Sequence, residues 1–176
     1  VVLQGSVALP RRSSVSLSYT RNSTVDNSSF NCCVAITSTF SQNTGDPRDL
    51  SGSRGPSDNA FRDKYVAAFL LPPIYGFRVT GSYVGTSGRP FSLVINGDVN
   101  GDGTLNNDLA FVFDPNDPST PADIAAAMQR VLANPNNRAR DVIRKYLGQI
   151  APRNVGWSPF RGQTDVRVAR DLNLGR

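Results

Sequence analysis

The amino-acid sequence predicts an all-β fold, an antiparallel meander of five strands joined by connections of very unequal length. Five stretches alternate apolar and polar side chains with a period of two, which is the pattern of a sheet whose two faces meet different surroundings. Short turns with proline or glycine separate some of these stretches, and long polar segments separate the others. No run approaches the roughly 20 apolar residues of a membrane-spanning helix.

The first four predicted strands form two hairpins. Residues 1–9 and 14–21 flank a tight turn at Pro10–Ser13, and residues 61–71 and 76–88 flank a second turn at Pro72–Tyr75. Prolines favour the turn because they cannot extend a hydrogen-bonded ladder. The cleanest alternation is in the fourth strand, where the two predicted faces are Phe77, Val79 and Tyr83 with Gly81 on one side, and Arg78, Thr80 and Ser82 on the other.

The fifth strand is predicted over residues 163–174, where Arg170 interrupts an otherwise apolar face. Two long loops, 22–60 and 89–162, complete the chain. The second loop is expected to carry two short helices. The first would have Thr120 as its N-cap and Pro121 at its first position. Asn136 or Asn137 would begin the second, which would stop at Gly148.

The second loop also contains a candidate metal motif between Asn96 and Asp108. Carboxylates and an amide spaced i, i+2, i+4 and followed by glycine match the start of an EF-hand-type loop, because a sharp turn then directs hard oxygen ligands at one calcium ion. The candidate ligands are Asp98, Asn100, Asp102, Thr104, Asn106 and Asp108. Leu109 occupies the twelfth position, where an EF-hand has a bidentate Glu, so Asp108 or Asn107 would have to close the site. The alternative is a polar turn capped by Asx side chains, without a metal.

Composition excludes several kinds of site. The chain has no histidine, which removes a Ser-His-Asp triad and any His-ligated metal, and no other nucleophile–base pair can be named, so no enzyme is expected. The net charge of +5 is spread over scattered arginines without interleaved aromatics, so nucleic acid is not an expected partner. Cys32 and Cys33 are either two small loop residues or a disulfide of an oxidising compartment.

The regular alternation of short and long connections is typical of outer-membrane barrels, which have short periplasmic turns and long extracellular loops. Lipid cannot satisfy an open backbone edge, so such strands must close into a barrel, and five strands are too few. The sequence therefore predicts a partial barrel, residues 1–176 being a fragment of one β-barrel domain.

Several segments carry a family resemblance. Leu71–Tyr83 resembles a periplasmic turn and strand of a TonB-dependent outer-membrane receptor, and Thr86–Phe91, with its Ser-Gly-Arg-Pro-Phe, resembles the exit from such a strand. The Asn96–Gly103 segment with Asn107-Asp108 and Ala110–Val112 resembles an extracellular loop of the Oar-like branch. Arg153-Asn154 and Pro159-Phe160, before Asp165–Val168, resemble the return into the next strand.

The resemblance implies a late-middle segment of a barrel of about 22 strands. No plug domain, energy-coupling box or terminal aromatic strand is found, so TonB coupling would act only through missing parts. The implied location is the outer membrane of a Gram-negative-type bacterium, with lipid and the remaining barrel strands as partners and calcium as a structural ion in an extracellular loop. The implied activity of the complete receptor is energised uptake, or export and adhesion.

A second hypothesis is a secreted, calcium-stabilised β module for adhesion or extracellular assembly. The same alternation would then describe a sandwich, or strands paired between copies. A requirement for detergent separates the two hypotheses, because only the barrel segment must keep an apolar surface in lipid.

Overall fold

The computed structural model describes residues 1–28, 44–46 and 48–170. The two cysteines, within a further short strand that residues 32–40 could form, and the last part of the predicted fifth strand lie outside the described residues. The chain divides into two compact units, one of Val1–Ser23, Phe61–Gly88 and Pro159–Arg176, the other of Thr24–Ala60 and Arg89–Ser158. No helix among the described residues is long and apolar enough to span a membrane.

Eleven strands, most of them short, are found in the described part of the chain. The five long strands are β1 (Val2–Leu9), β2 (Ser13–Arg21), β5 (Asp63–Leu70), β6 (Phe77–Thr86) and β11 (Arg161–Arg170). The short strands are β3 (Val25–Asp26), β4 (Gly55–Pro56), β7 (Pro90–Phe91), β8 (Phe111–Val112), β9 (Gln149–Ile150) and β10 (Gly156–Trp157). The helices are α1 (Ala122–Ala133) and α2 (Arg140–Lys145).

The first unit is one antiparallel sheet in the order β1-β2-β5-β6-β11, with β1 and β11 at its edges. This confirms the predicted antiparallel arrangement, in which each long strand pairs with its neighbour in sequence. The predicted turns also form: Leu9 pairs with Ser13 across the first, and Ile74 forms a bridge with Phe77 across the second. The fifth strand begins two residues earlier than predicted, at Arg161, which pairs with Thr86.

Strand register places the apolar side chains on one face of this sheet. Pairs such as Leu17 with Ala67, Phe69 with Gly81 and Val79 with Val168 lie directly opposite each other, and paired residues share a face. We call this side the apolar face; its larger side chains are Leu3, Val7, Val15, Leu17, Tyr19, Tyr65, Phe69, Phe77, Val79, Tyr83, Val166 and Val168. The opposite, polar face carries many serines and threonines, among them Ser14, Ser16, Ser18, Thr80 and Ser82.

The sheet does not enclose a hydrophobic core. Among the described residues the buried hydrophobic ones are Ala60, Val112 and Ala151, and no large side chain is fully buried. On the apolar face, Leu17 is 59% exposed and Val166 61% exposed. The apolar face of the five-stranded sheet is therefore largely exposed.

The second unit combines short ladders with the two helices. β3 pairs with β4, β7 with β10 and β8 with β9, all antiparallel. The predicted cap of α1 is wrong: Pro121 is the N-cap, without a side-chain cap hydrogen bond, and the Thr120 hydroxyl donates to the carbonyl oxygen of Asp114 at 2.8 Å. Helix α2 begins later than predicted, with Ala139 as its N-cap, while Asn137 accepts a hydrogen bond from the Ala139 N–H at 3.0 Å. It also ends before Gly148, at Lys145.

Candidate metal centre

The metal motif is the tip of a narrow loop closed by backbone hydrogen bonds. Ile95 N–H donates to the Asp108 carbonyl at 3.1 Å, and Val94 forms a bridge with Leu109. Within the loop, Gly101 and Gly103 have φ of 73° and 82°, a region that side chains disfavour. The loop therefore resembles an EF-hand loop in its turn chemistry, while backbone pairing replaces the flanking helices.

Asp98 shapes the first half of this loop. Its Oδ1 accepts hydrogen bonds from Gly101 N–H at 2.8 Å and Asp102 N–H at 3.1 Å, and its Oδ2 accepts one from Gly103 N–H at 3.0 Å. These bonds wrap the backbone around the carboxylate, which is why the i, i+2, i+4 spacing brings successive side chains toward one point.

Asp108 closes the loop from the other end and is only 3% exposed. Its Oδ2 accepts hydrogen bonds from Val99 N–H and from Asn100 N–H. Its Oδ1 is buried and has no hydrogen-bond partner in the described part of the chain. Burying a carboxylate oxygen without a hydrogen-bond donor costs free energy, and a bound cation is one way to offset that cost.

The three carboxylates converge. One oxygen from each of Asp98, Asp102 and Asp108 lies within 4.8 Å of the other two. Calcium binds oxygen at about 2.3–2.6 Å, so ligands on opposite sides of one ion lie about 5 Å apart, and this spacing fits. None of the three forms an ion pair with a described Lys or Arg. At an effective dielectric of 20 the repulsion between two of these carboxylates is roughly 3 kcal/mol. A divalent cation between them would replace this repulsion with attraction to the ion.

Asp102 has a polar shell that favours its charged form. Burial alone would raise the pKa of Asp102, but hydrogen bonds from Asn107, Thr104 and Asn100 outweigh it and hold the pKa below its ordinary value. The shortest of these hydrogen bonds is the one that Asn107 Nδ2 donates to Asp102 Oδ2, at 2.7 Å. The carboxylate is thus negative at neutral pH, as a metal ligand must be.

The remaining predicted ligands occupy different positions around this cluster. Asn100 lies beside it, with its Oδ1 accepting from Asp102 N–H at 3.0 Å. Thr104 donates its N–H to Asp102 Oδ1 at 2.8 Å. Asn106 is exposed, has φ of 66°, and its side chain forms no hydrogen bond with a described residue. Asp98, Asp102 and Asp108 are therefore the residues that the structure brings together as possible ligands.

Sequence reasoning missed a buried ionic cluster in the same unit. The Arg153 side chain is 2% exposed and forms ion pairs with Asp26 at 2.7 Å and Asp58 at 2.9 Å. Asn154 donates through Nδ2 to the Pro56 carbonyl at 2.7 Å and to Asp58. These partners are about 95 to 127 residues away along the chain, so no local pattern could have revealed the pairs.

The side chains of this cluster are carboxylates and amides, most of them bonded to loop backbone or to one another. Asp98, Asp102 and Asp108 could hold a cation. No protein-family model, no curated protein and no solved structure matches the chain.

Proposed function

We propose that this chain is a segment of the β-barrel of a TonB-dependent outer-membrane receptor, and that its second long loop binds calcium in a structural role. The observation that carries the proposal is the exposed apolar face of the first unit. Side chains such as Leu3 at 63% and Val168 at 60% exposure would each cost about 1–2 kcal/mol to keep in water, since that fraction of their surface is still exposed. Hydrocarbon removes this cost without a second protein layer.

The dimensions of the sheet agree with a bilayer. β6 and β11 each have 10 residues, which at 3.3 Å per residue span about 33 Å. Tilted by about 40°, as in barrels, they would cross about 25 Å, the height of the apolar band of an outer-membrane barrel.

Aromatic side chains lie toward both ends of the apolar face. At the end of the sheet where the long loops attach (the long-loop end), the Tyr65 ring centroid lies 5.0 Å from that of Tyr19 and 6.1 Å from that of Phe160. At the opposite end, where the short turns join the strands (the short-turn end), Phe77 lies on the apolar face and Tyr75 in the turn is 92% exposed. Rings at both water–lipid boundaries are the usual girdles of such barrels, so this distribution supports the proposal.

The open edges of the sheet support a partial barrel. In the described part of the chain β1 and β11 each pair with one strand, so one side of each carries backbone groups without a ladder partner there. In lipid these groups need further strands, which the rest of a barrel would supply. The polar face, rich in serine and threonine, would line the barrel interior.

The position of the candidate ligands supports a structural role for calcium. Three carboxylates within one loop repel each other, and calcium would hold that loop in a single shape. Calcium fits better than magnesium because an irregular, all-protein oxygen cage suits its flexible geometry, whereas magnesium demands near-ideal octahedral ligands and retains waters.

Two measurements test the membrane assignment. Extraction should require detergent, and material that stays dispersed without it would favour the secreted β module. Spin labels on a Cys32→Ser, Cys33→Ser background provide a matched pair, Val79→Cys on the apolar face and Thr80→Cys on the polar face. The Val79 label should collide with oxygen dissolved in lipid, and the Thr80 label with a water-soluble nickel chelate. The reverse accessibility would refute the barrel.

A further inference from the structure

We propose that the short-turn end of the sheet binds the phosphates of anionic phospholipid headgroups through arginines, chiefly Arg11, Arg12 and Arg170. The inference rests on the proposed function, because it requires that the apolar face lie in a bilayer. It adds a lipid class and a specific set of residues to that function.

Charge at this end is mostly positive. Residues 8–14, 69–79 and 167–170 contain the arginines Arg11, Arg12, Arg78, Arg167 and Arg170 and no Asp or Glu, although Asp171 follows Arg170 in the sequence. At the opposite end of the sheet the charges are mixed, and Arg21 lies 3.9 Å from Asp63. The short-turn end therefore carries an excess of cations, with Arg170 on the apolar face and Arg78 and Arg167 on the polar face.

Arg170 is the most informative member because it lies on the apolar face. It pairs with Phe77 across β6 and β11, and its guanidinium carbon lies 5.0 Å from the centre of the Phe77 ring. Its Nε lies 3.9 Å from the point where a side chain at Gly76 would begin, so it reaches toward the turn. An arginine on a lipid-facing strand end buries its stem in hydrocarbon and extends its charge to the headgroups.

Arg11 and Arg12 provide an independent observation. Both have left-handed backbone, with φ of 60° and 58°, where Gly or Asn would be accommodated with less strain. Both are exposed and form no hydrogen bond or ion pair with a described residue. Two strained arginines at such positions indicate that their charge serves a ligand rather than the turn.

Phosphate is the anion that fits this position. The cations border an apolar surface, so the anion must be presented at the edge of hydrocarbon, as a lipid phosphate is. The planar guanidinium also matches two phosphate oxygens at once. A free phosphate or an acidic protein would not need the adjoining apolar face.

Native mass spectrometry of the full chain in detergent, with phosphatidylglycerol or phosphatidylcholine added, tests the inference. The wild type should retain phosphatidylglycerol preferentially, and inorganic phosphate should not displace it. The double variant Arg11→Asn, Arg12→Gly relieves the left-handed strain while removing two charges, so it should fold at least as well as the wild type. It should nevertheless lose phosphatidylglycerol affinity by about fivefold for each charge removed.

Two further variants complete the design. Arg170→Leu matches its apolar neighbours and should also lose about fivefold. Arg161→Gln removes an exposed arginine at the opposite end of the sheet and should retain the wild-type preference. Undiminished phosphatidylglycerol preference in the double variant and in Arg170→Leu, or full displacement by inorganic phosphate, would overturn the inference. A detergent requirement that persists alongside such a result would leave the membrane assignment intact.

Discussion

The ring of Phe69 lies directly over Gly81, its partner across β5 and β6. A side chain at position 81 would occupy the space of that ring, because a Cβ placed there would overlap the far carbons of Phe69. Gly81 is thus the position that allows a large aromatic side chain to lie flat on the apolar face.

Gly81→Val should destabilise the protein by about 1–3 kcal/mol, because Phe69 must leave its rotamer to make room. Gly5→Val is the matched control, since Gly5 lies on the same apolar face and a Cβ there meets nothing within 4 Å. Urea unfolding in detergent micelles would measure both. Equal unfolding midpoints for the two variants would contradict the packing of Phe69 over Gly81.

The hydrogen bonds of Asp117, in the turn before α1, predict that its contribution to stability depends on pH. Its Oδ1 accepts hydrogen bonds from the backbone N–H and the hydroxyl of Ser119, both at 2.8 Å. These bonds, the backbone one first, hold the pKa of Asp117 below its ordinary value of 3.8. Because the folded pKa is the lower one, this contribution to stability is complete above about pH 4 and disappears as pH falls through the folded pKa.

Ser119→Ala should raise the pKa of Asp117 only part of the way to 3.8, because the backbone donor remains. A carboxyl-detected NMR titration would measure this. Asp49, whose pKa is lowered in the same way by Ser51, is an internal reference that the substitution should not affect. An unchanged pKa of Asp117 would assign the whole shift to the backbone.

Chelation tests the calcium assignment directly. Excess chelator should lower the melting temperature and increase amide exchange over residues 96–114, because three uncompensated carboxylates then repel one another. Asp108→Asn should weaken calcium binding at least roughly tenfold by removing one ligand charge. Asp123→Asn makes the same charge change in the first turn of α1, away from the cluster, and should bind as the wild type does. Identical calorimetric traces with and without chelator would eliminate the metal.

Local patterns predicted more of this chain than non-local ones. Alternation in β6 fixes which side chains share a face, because a strand has a period of two, and the short turns fix the partner strand. The convergence of Asp98, Asp102 and Asp108 was also predictable, since the three are close in sequence, and metal binding by them stays a prediction. The role of Asn106 as a ligand stays a prediction; its left-handed backbone is a feature that spacing alone does not specify.

Non-local pairing explains the features that sequence did not reveal. The Thr120 hydroxyl donates to the Asp114 carbonyl in the turn before α1, and Pro121 is the N-cap of that helix. The burial of Arg153 depends on carboxylates contributed by distant segments of the chain. Neither feature has a periodic signature.

Arg153→Met should be among the most damaging single substitutions in the second unit. It leaves Asp26 and Asp58 without their buried guanidinium, and breaking such a pair costs about 3–5 kcal/mol. The two aspartate side chains are 29% and 26% exposed, so we expect the lower end of that range. Arg140→Met is the control, because its partner Asp141 is 86% exposed and such pairs contribute at most about 1 kcal/mol. Comparable thermal shifts in the two variants would show that the buried pairs contribute no more than an exposed one.

Asn100 is positioned to transmit calcium binding to the first long loop. Its Oδ1 accepts from the Asp102 N–H, and its Nδ2 donates to the Thr44 carbonyl at 3.4 Å and to Asp102 Oδ2 at 3.5 Å. Thr44 is buried, and its hydroxyl shares a hydrogen bond of 2.7 Å with the Ser53 hydroxyl. A metal that fixes the Asn100 amide would therefore restrict the segment around Thr44 and Ser53.

Asn100→Asp separates the two roles of this side chain. The aspartate keeps an oxygen for the metal and adds charge, so calcium affinity should be unchanged or higher. It lacks the Nδ2 donor, so calcium should no longer slow amide exchange at residues 48–53, whereas in the wild type it should. Calorimetric titration and hydrogen exchange on the same sample measure affinity and coupling separately. If calcium protects residues 48–53 equally in both proteins, the bond from Asn100 to Thr44 does not carry the effect, and the loops are coupled through another contact.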